Sequence, residues 1–217
     1  MDPSAYVDSD DNRGDIVFPW IRQRLVELKP ECVLDYGCGD ARFALAIAYG
    51  LQTEVWAYDR DPGMREQARR QTTSAEIKLL DKIPEIPAGR FDAAFMLGVW
   101  MCWQSEAECL ENLTVLAQAL KAGGHLIASV THPCFRDRPF ATYRTDFDMA
   151  HYLENGKPFH VQVGRKGQVE ITDTHWNLEA MLQQASAAGF RLVTLKEHAD
   201  EAGRPYPPWL SVVLERM

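Results

Sequence analysis

The chain is short of basic residues, of paired cysteines and of long apolar runs, and each shortage closes off a class of function. Twenty-three Lys and Arg against 31 Asp and Glu give a formal net charge of −8, without the basic footprint that a nucleic-acid partner requires. Five cysteines, an odd number with no paired metal spacing, fit a reducing cytoplasm rather than a disulfide framework. The six histidines show no ligand spacing, so no metal is expected. The longest apolar runs fall far short of a membrane span, and residues 1–15 are acidic and polar, unlike a signal peptide. No repeat or low-complexity tract breaks a composition that is 46% hydrophobic and 25% charged, an ordinary globular balance. These bounds predict a single domain over 1–217, a monomer or homodimer with a small-molecule partner, and neither nucleic acid nor membrane.

Hydrophobic periodicity then gives the order of elements. Residues 16–28 carry apolar positions at helical spacing and stop before Pro30, so 1–29 reads as an N-terminal lid and helix. Helices over 41–49, 62–70 and 105–119 alternate with strands over 54–58, 76–80, 91–97 and 124–131, which predicts a doubly wound, mostly parallel α/β sheet. After Thr131 the alternation breaks. The stretch 133–172 is too long for an idle connector, contains a hairpin around 164–167, and should lie over the C-terminal edge of the sheet on the substrate side. Its mixed charges, Arg136 among them, read as solvated surface, or else as an arginine that meets an acidic acceptor. Asp173 or Thr174 caps a helix through Ala187, then strands follow over 191–197 and 209–214. The short proline-rich link between those strands predicts antiparallel pairing.

The segment Val33-Leu34-Asp35-Tyr36-Gly37-Cys38-Gly39-Asp40-Ala41-Arg42 says most about chemistry. It reads as a strand, a turn that only glycine tolerates, and a helix start aimed at a ligand. A dinucleotide turn would place a third glycine where Arg42 stands. Asp35 and Asp40 flank the turn; two carboxylates repel a pyrophosphate but suit an ammonium group. Asp59 ends the next strand, where an acid can accept from both ribose hydroxyls. Met64 lies in the first turn of the helix that follows, and Asp81 ends the third strand.

These landmarks, in order over residues 30–131, resemble the class I S-adenosylmethionine-dependent methyltransferases. The resemblance implies a seven-stranded sheet of order 3-2-1-4-5-7-6 with an antiparallel last strand and a cap inserted after strand 5. It also implies S-adenosylmethionine as cofactor, held by Asp35, Gly37, Gly39, Asp59, Arg60, Met64, Asp81, Lys82 and Leu97. The segments Ser129–Phe135 and Thr174–Leu178, with Tyr6 and Arg13 near the N-terminus, look like a bacterial small-molecule subgroup that carries His-Pro-Cys-Phe after its fifth strand. Here His175-Trp176-Asn177 stands where an Arg-Pro pair is more usual. No Asn-Pro-Pro-aromatic segment follows the fourth strand, which weakens a DNA-adenine or protein-glutamine target.

Methyl transfer is an in-line displacement at a sulfonium carbon, so positioning supplies much of the rate and a dry aromatic site favours it. Trp100, Trp103, Phe135, Phe140, Tyr143 and Trp176 are candidates for that lining, or else core. His132 is the first candidate base, because it directly follows a strand at the acceptor's edge; His175 is the second. The alternative for His132 is a histidine that holds the turn before Pro133. Cys38, Cys102 and Cys134 read as small hydrophobes. The leading function is methylation of the O or N of a small metabolite in the cytoplasm. A cyclase that releases methylthioadenosine, and a non-catalytic cofactor-binding subunit, are the alternatives.

Overall fold

The structure, a computed structural model, describes residues 13–72, 77–164, 169–199 and 203–217. Its main sheet has seven strands: β1 (Cys32–Tyr36), β2 (Glu54–Tyr58), β3 (Lys78–Leu80), β4 (Phe91–Leu97), β5 (Leu120–Thr131), β9 (Phe190–His198) and β10 (Trp209–Arg216). They lie in the order β3-β2-β1-β4-β5-β10-β9, the 3-2-1-4-5-7-6 order expected. Strands β1 to β5 pair in parallel, and β10 pairs antiparallel with both β5 and β9. Every residue of β1 is buried, as in a parallel sheet covered on both faces.

The covering helices are α1 (Phe18–Leu28), α2 (Arg42–Leu51), α3 (Pro62–Gln71), α4 (Glu106–Ala119) and α5 (Leu178–Ala187). Their starts follow from sequence. Asp61 accepts from the N–H groups of Gly63 (2.7 Å) and Met64 (3.2 Å) ahead of Pro62, and Ser105 accepts from Glu108 N–H at 3.1 Å. A π-helical turn at Arg13–Val17 precedes α1. Among the described residues no helix is long and apolar enough to cross a membrane.

The stretch after β5 forms a second, three-stranded antiparallel sheet of β6 (Arg144–Thr145), β7 (Lys157–Val163) and β8 (Val169–His175). The hairpin expected there is present and longer than its alternation suggested. Asp173 and Thr174 are therefore strand residues, paired with Phe159 and Pro158, and not helix caps. Asn177 caps α5 instead, accepting from Ala180 N–H at 2.8 Å. The strand read over 124–131 begins earlier, at Leu120, with a local irregularity between Leu120 and His125.

Candidate active site

The loops at the C-terminal ends of β1, β2 and β4 join residues 171–173 of β8 around a cavity of about 710 Å³, a size usual for small-molecule sites. The first loop is built from left-handed backbone: Gly37, Gly39 and Ala41 have φ of +86°, +57° and +65°. The N–H groups of Gly37 and Cys38 both donate to Tyr58 O, at 2.7 and 3.0 Å, which ties this loop to the end of β2. A Cβ on Gly37 would lie 2.3 Å from Val99 Cγ2, so the loop after β4 leaves room for glycine alone. Gly39 faces open space.

Asp59 organises the second loop. Its Oδ2 accepts from Gly39 N–H and its Oδ1 from Asp61 N–H, each at 2.8 Å. Burial raises its pKa against those two hydrogen bonds. Each carboxylate oxygen has two lone pairs, so both retain capacity for a further donor.

Asp35 has a different environment. It lies on β1 between Ala57 and Phe95 of the neighbouring strands, and its Oδ2 is buried without a hydrogen-bond partner among the described residues. Burial, with the charges of Asp59 and Asp40, holds its carboxyl well above the usual carboxylate range. A group bearing an ammonium would supply both the missing donor and the missing charge. Asp40, expected to share that task, is instead engaged by Arg42 Nε at 3.0 Å and Gln71 Nε2 at 3.3 Å.

A raised pKa means that Asp35 retains its proton above the ordinary carboxylate range, and a bound ammonium favours the ionised form and expels that proton. Binding should therefore release a proton wherever the free carboxyl still holds one, and weaken as pH falls. The release would appear as calorimetric heats that depend on the buffer's ionisation enthalpy. Asp35→Asn should abolish the dependence and weaken binding about tenfold. Identical heats in all buffers for the native chain would contradict this role.

Arg13, Arg60, Met64 and Leu97 also line the cavity. Arg60 pairs with Glu108 at 3.1 Å. Asp81 and Lys82 are not part of the described wall: Asp81 is 63% exposed at its side chain and pairs with Arg69, and Lys82 lies near Glu85. Tyr6 lies outside the described residues. Of the aromatic candidates only Trp103 faces the cavity. Trp100 donates to Gln184 Oε1 at 2.9 Å and Trp176 to Trp103 O at 3.1 Å, both buried. Tyr143 stacks on Phe140 at 4.6 Å, and Phe135 packs against His132 and Tyr206. Trp100, Phe140, Tyr143 and Trp176 belong to the core, and Phe135 is half-buried.

Neither histidine considered as a base lines the described cavity. His132 turns toward β9, with Nε2 3.0 Å from Glu197 Oε1 and Nδ1 accepting from Cys134 N–H at 3.2 Å. Burial lowers its pKa despite Glu197. His175 is fully buried, donates through Nε2 to Tyr152 O at 2.8 Å, and is lowered to about 4 by burial. His132→Ala should therefore cost roughly 1 to 2 kcal/mol of stability through the lost turn cap and leave cofactor affinity unchanged. A lowered melting temperature with native cofactor titration checks this. Cys102 is pushed up to about 12 by burial, and Cys38 is raised for the same reason, so both remain thiols.

The residue that sequence reasoning missed is Asp173. It is 2% exposed, lines the cavity with Ile171 and Thr172, and burial pushes its carboxyl up to about 7 while Arg136 and Arg60 draw it down. Arg136, read as solvated surface or else as a partner for an acidic acceptor, is itself buried. The one available signal was alternation: Ile171, Asp173 and His175 share a face if the hairpin strand continues past 172.

Residues 33–124 match the family described as a methyltransferase domain. No curated protein is significantly similar in sequence. Among solved structures, an S-adenosylmethionine-dependent methyltransferase of Clostridium acetobutylicum superposes with a TM-score of 0.70 at 12% identity, covering 97% of this chain and 94% of that one. One from Mesorhizobium loti gives 0.63 at 19%, covering 92% and 98%. Human N-acetylserotonin methyltransferase, in complex with S-adenosylmethionine, gives 0.59 at 13%, covering 92% of this chain and 51% of its own. Residues 33–124 thus match a methyltransferase-domain family, and the chain as a whole shares the fold of these S-adenosylmethionine-dependent methyltransferases.

Proposed function

We propose that the chain is a cytoplasmic S-adenosylmethionine-dependent methyltransferase acting on the O or N of a small-molecule metabolite. The observation that carries this reading is the unpaired, buried Oδ2 of Asp35, which faces a cavity shared with Gly39 and Asp59. In this reading Asp35 holds the ammonium of the cofactor's amino-acid end, and Asp59 accepts from the ribose hydroxyls. Gly37 keeps its loop clear of Val99, and Met64 covers the adenine. S-adenosylmethionine supplies a methyl group already activated by its sulfonium, so the chain's own contribution is orientation and exclusion of water. Trp103 and Leu97, both buried in the cavity wall, keep that part of the site dry.

A small acceptor fits a cavity of about 710 Å³ and a net charge of −8, which disfavours polyanionic targets. Incubation with S-adenosylmethionine and a metabolite extract tests the reading. S-adenosylhomocysteine should accumulate, together with one metabolite heavier by a methylene. Methylthioadenosine as the product would instead identify a cyclase. Binding of the cofactor without any turnover would favour a non-catalytic subunit.

A further inference from the structure

The β8 wall of Ile171, Thr172 and Asp173, which meets Cys102 and Trp103 in the same cavity, has no part in cofactor binding as read above. Asp173 is buried there, with no hydrogen bond to its carboxylate from a described residue. Its position is set from behind. Asp173 pairs across the ladder with Phe159, and the Arg136 guanidinium lies 4.9 Å from the centre of that ring. Arg136 is held in turn by Thr131 Oγ1 at 3.1 Å. The cations whose fields reach Asp173 are Arg136, from the turn after β5, and Arg60, from the loop after β2; Cys102 is the neighbouring thiol. An unpartnered, buried carboxylate at a cavity wall is costly unless a ligand supplies its donor.

The rest of the cavity indicates the charge of that donor. Among the described residues, eight carboxylates and three arginines line it, and Arg42 and Arg60 pair with Asp40 and Glu108. An anionic acceptor would meet repulsion from most of the wall, whereas a cation is drawn in.

On the reading of Proposed function, we propose that the acceptor is a primary or secondary amine held as a cation by Asp173, which receives the proton that the amine must lose. The ammonium gives one proton to the carboxylate, freeing the nitrogen lone pair. That pair forms the N–C bond to the methyl carbon as the C–S bond breaks, and the C–S electrons return to sulfur, which becomes neutral. The product leaves as a methylated ammonium, and Asp173 passes its proton to water. A carboxyl that titrates near neutrality is matched to this task. Asp173 would be a catalytic residue, and Arg136 a positioning residue.

The test uses benzylamine, phenethylamine and tryptamine beside their alcohol and carboxylic acid counterparts, each with S-adenosylmethionine and the full chain. S-adenosylhomocysteine formation should be confined to amines and should rise with pH through about 7. Asp173→Asn should lower it by about 100-fold or more and lose that pH dependence. Asp173→Glu should recover part of the rate. The affinity for S-adenosylhomocysteine, measured separately, should stay within about twofold in both variants, which establishes that they are folded. Turnover of the alcohols or acids in place of the amines, turnover of none of the amines, or full amine turnover by Asp173→Asn would overturn the proposal. If the native chain does not bind S-adenosylhomocysteine, the parent reading fails, and this inference with it.

Discussion

Asp59→Ala is expected to weaken S-adenosylmethionine binding by roughly 2 to 3 kcal/mol, which is about 30- to 150-fold. The carboxylate makes two kinds of contact, and the variant loses both. It holds the N–H groups of Gly39 and Asp61 at 2.8 Å, so its removal deprives two part-buried donors of their acceptor and frees the glycine loop. It is also the acceptor proposed for the ribose hydroxyls, a charge-assisted pair of bonds. Calorimetric titration measures the sum. Glu179→Ala, at an exposed position of α5, is the control and should change nothing. A native dissociation constant in Asp59→Ala would remove Asp59 from the site.

Gly37→Ala should eliminate detectable cofactor binding and lower stability as well, by about 1 to 3 kcal/mol. Two costs coincide at this position. The backbone φ of +86° disfavours any side chain, and the new Cβ would stand 2.3 Å from Val99 Cγ2. Either the loop after β1 or the loop after β4 must shift, and both are cavity walls. The two costs can be separated. Adding Val99→Ala should relieve the contact and recover part of the melting temperature, while the φ penalty persists and binding stays weak. If Gly37→Ala alone binds natively at native thermal stability, the loop geometry described here is wrong.

The features legible without coordinates are those set by neighbours in the chain. Asp35, Gly37 and Gly39 sit at a strand end and in a turn whose left-handed residues only glycine adopts freely. Asp59 follows at the end of the next strand, so local pattern locates all four. The mostly parallel character of the main sheet was legible from the alternation of strands and helices, whereas its strand order came from the resemblance to a known family. The acceptor side was not. Position 132 follows a parallel strand, which locates the residue but not the direction of its ring. That direction is settled by Glu197, 65 residues away on β9. Asp173 fits an N-cap as well as a strand by composition alone, and the choice depends on pairing with Phe159. Trp100 and Trp176 read as lining because large aromatics suit a dry site, but their indole N–H groups are committed to Gln184 and to Trp103 O. Asp81 ends its strand as expected, but Arg65 and Arg69 on α3 draw it outward.

The central claim is that the cavity above β1 is built for an ammonium-bearing adenosyl ligand and not for a pyrophosphate. Parallel titrations of the native chain with S-adenosylhomocysteine and with NAD test it most directly. The account predicts one molecule of S-adenosylhomocysteine bound per chain, with a dissociation constant on the order of micromolar, and no measurable heat from NAD. Comparable binding of NAD, or no binding of S-adenosylhomocysteine, would contradict it.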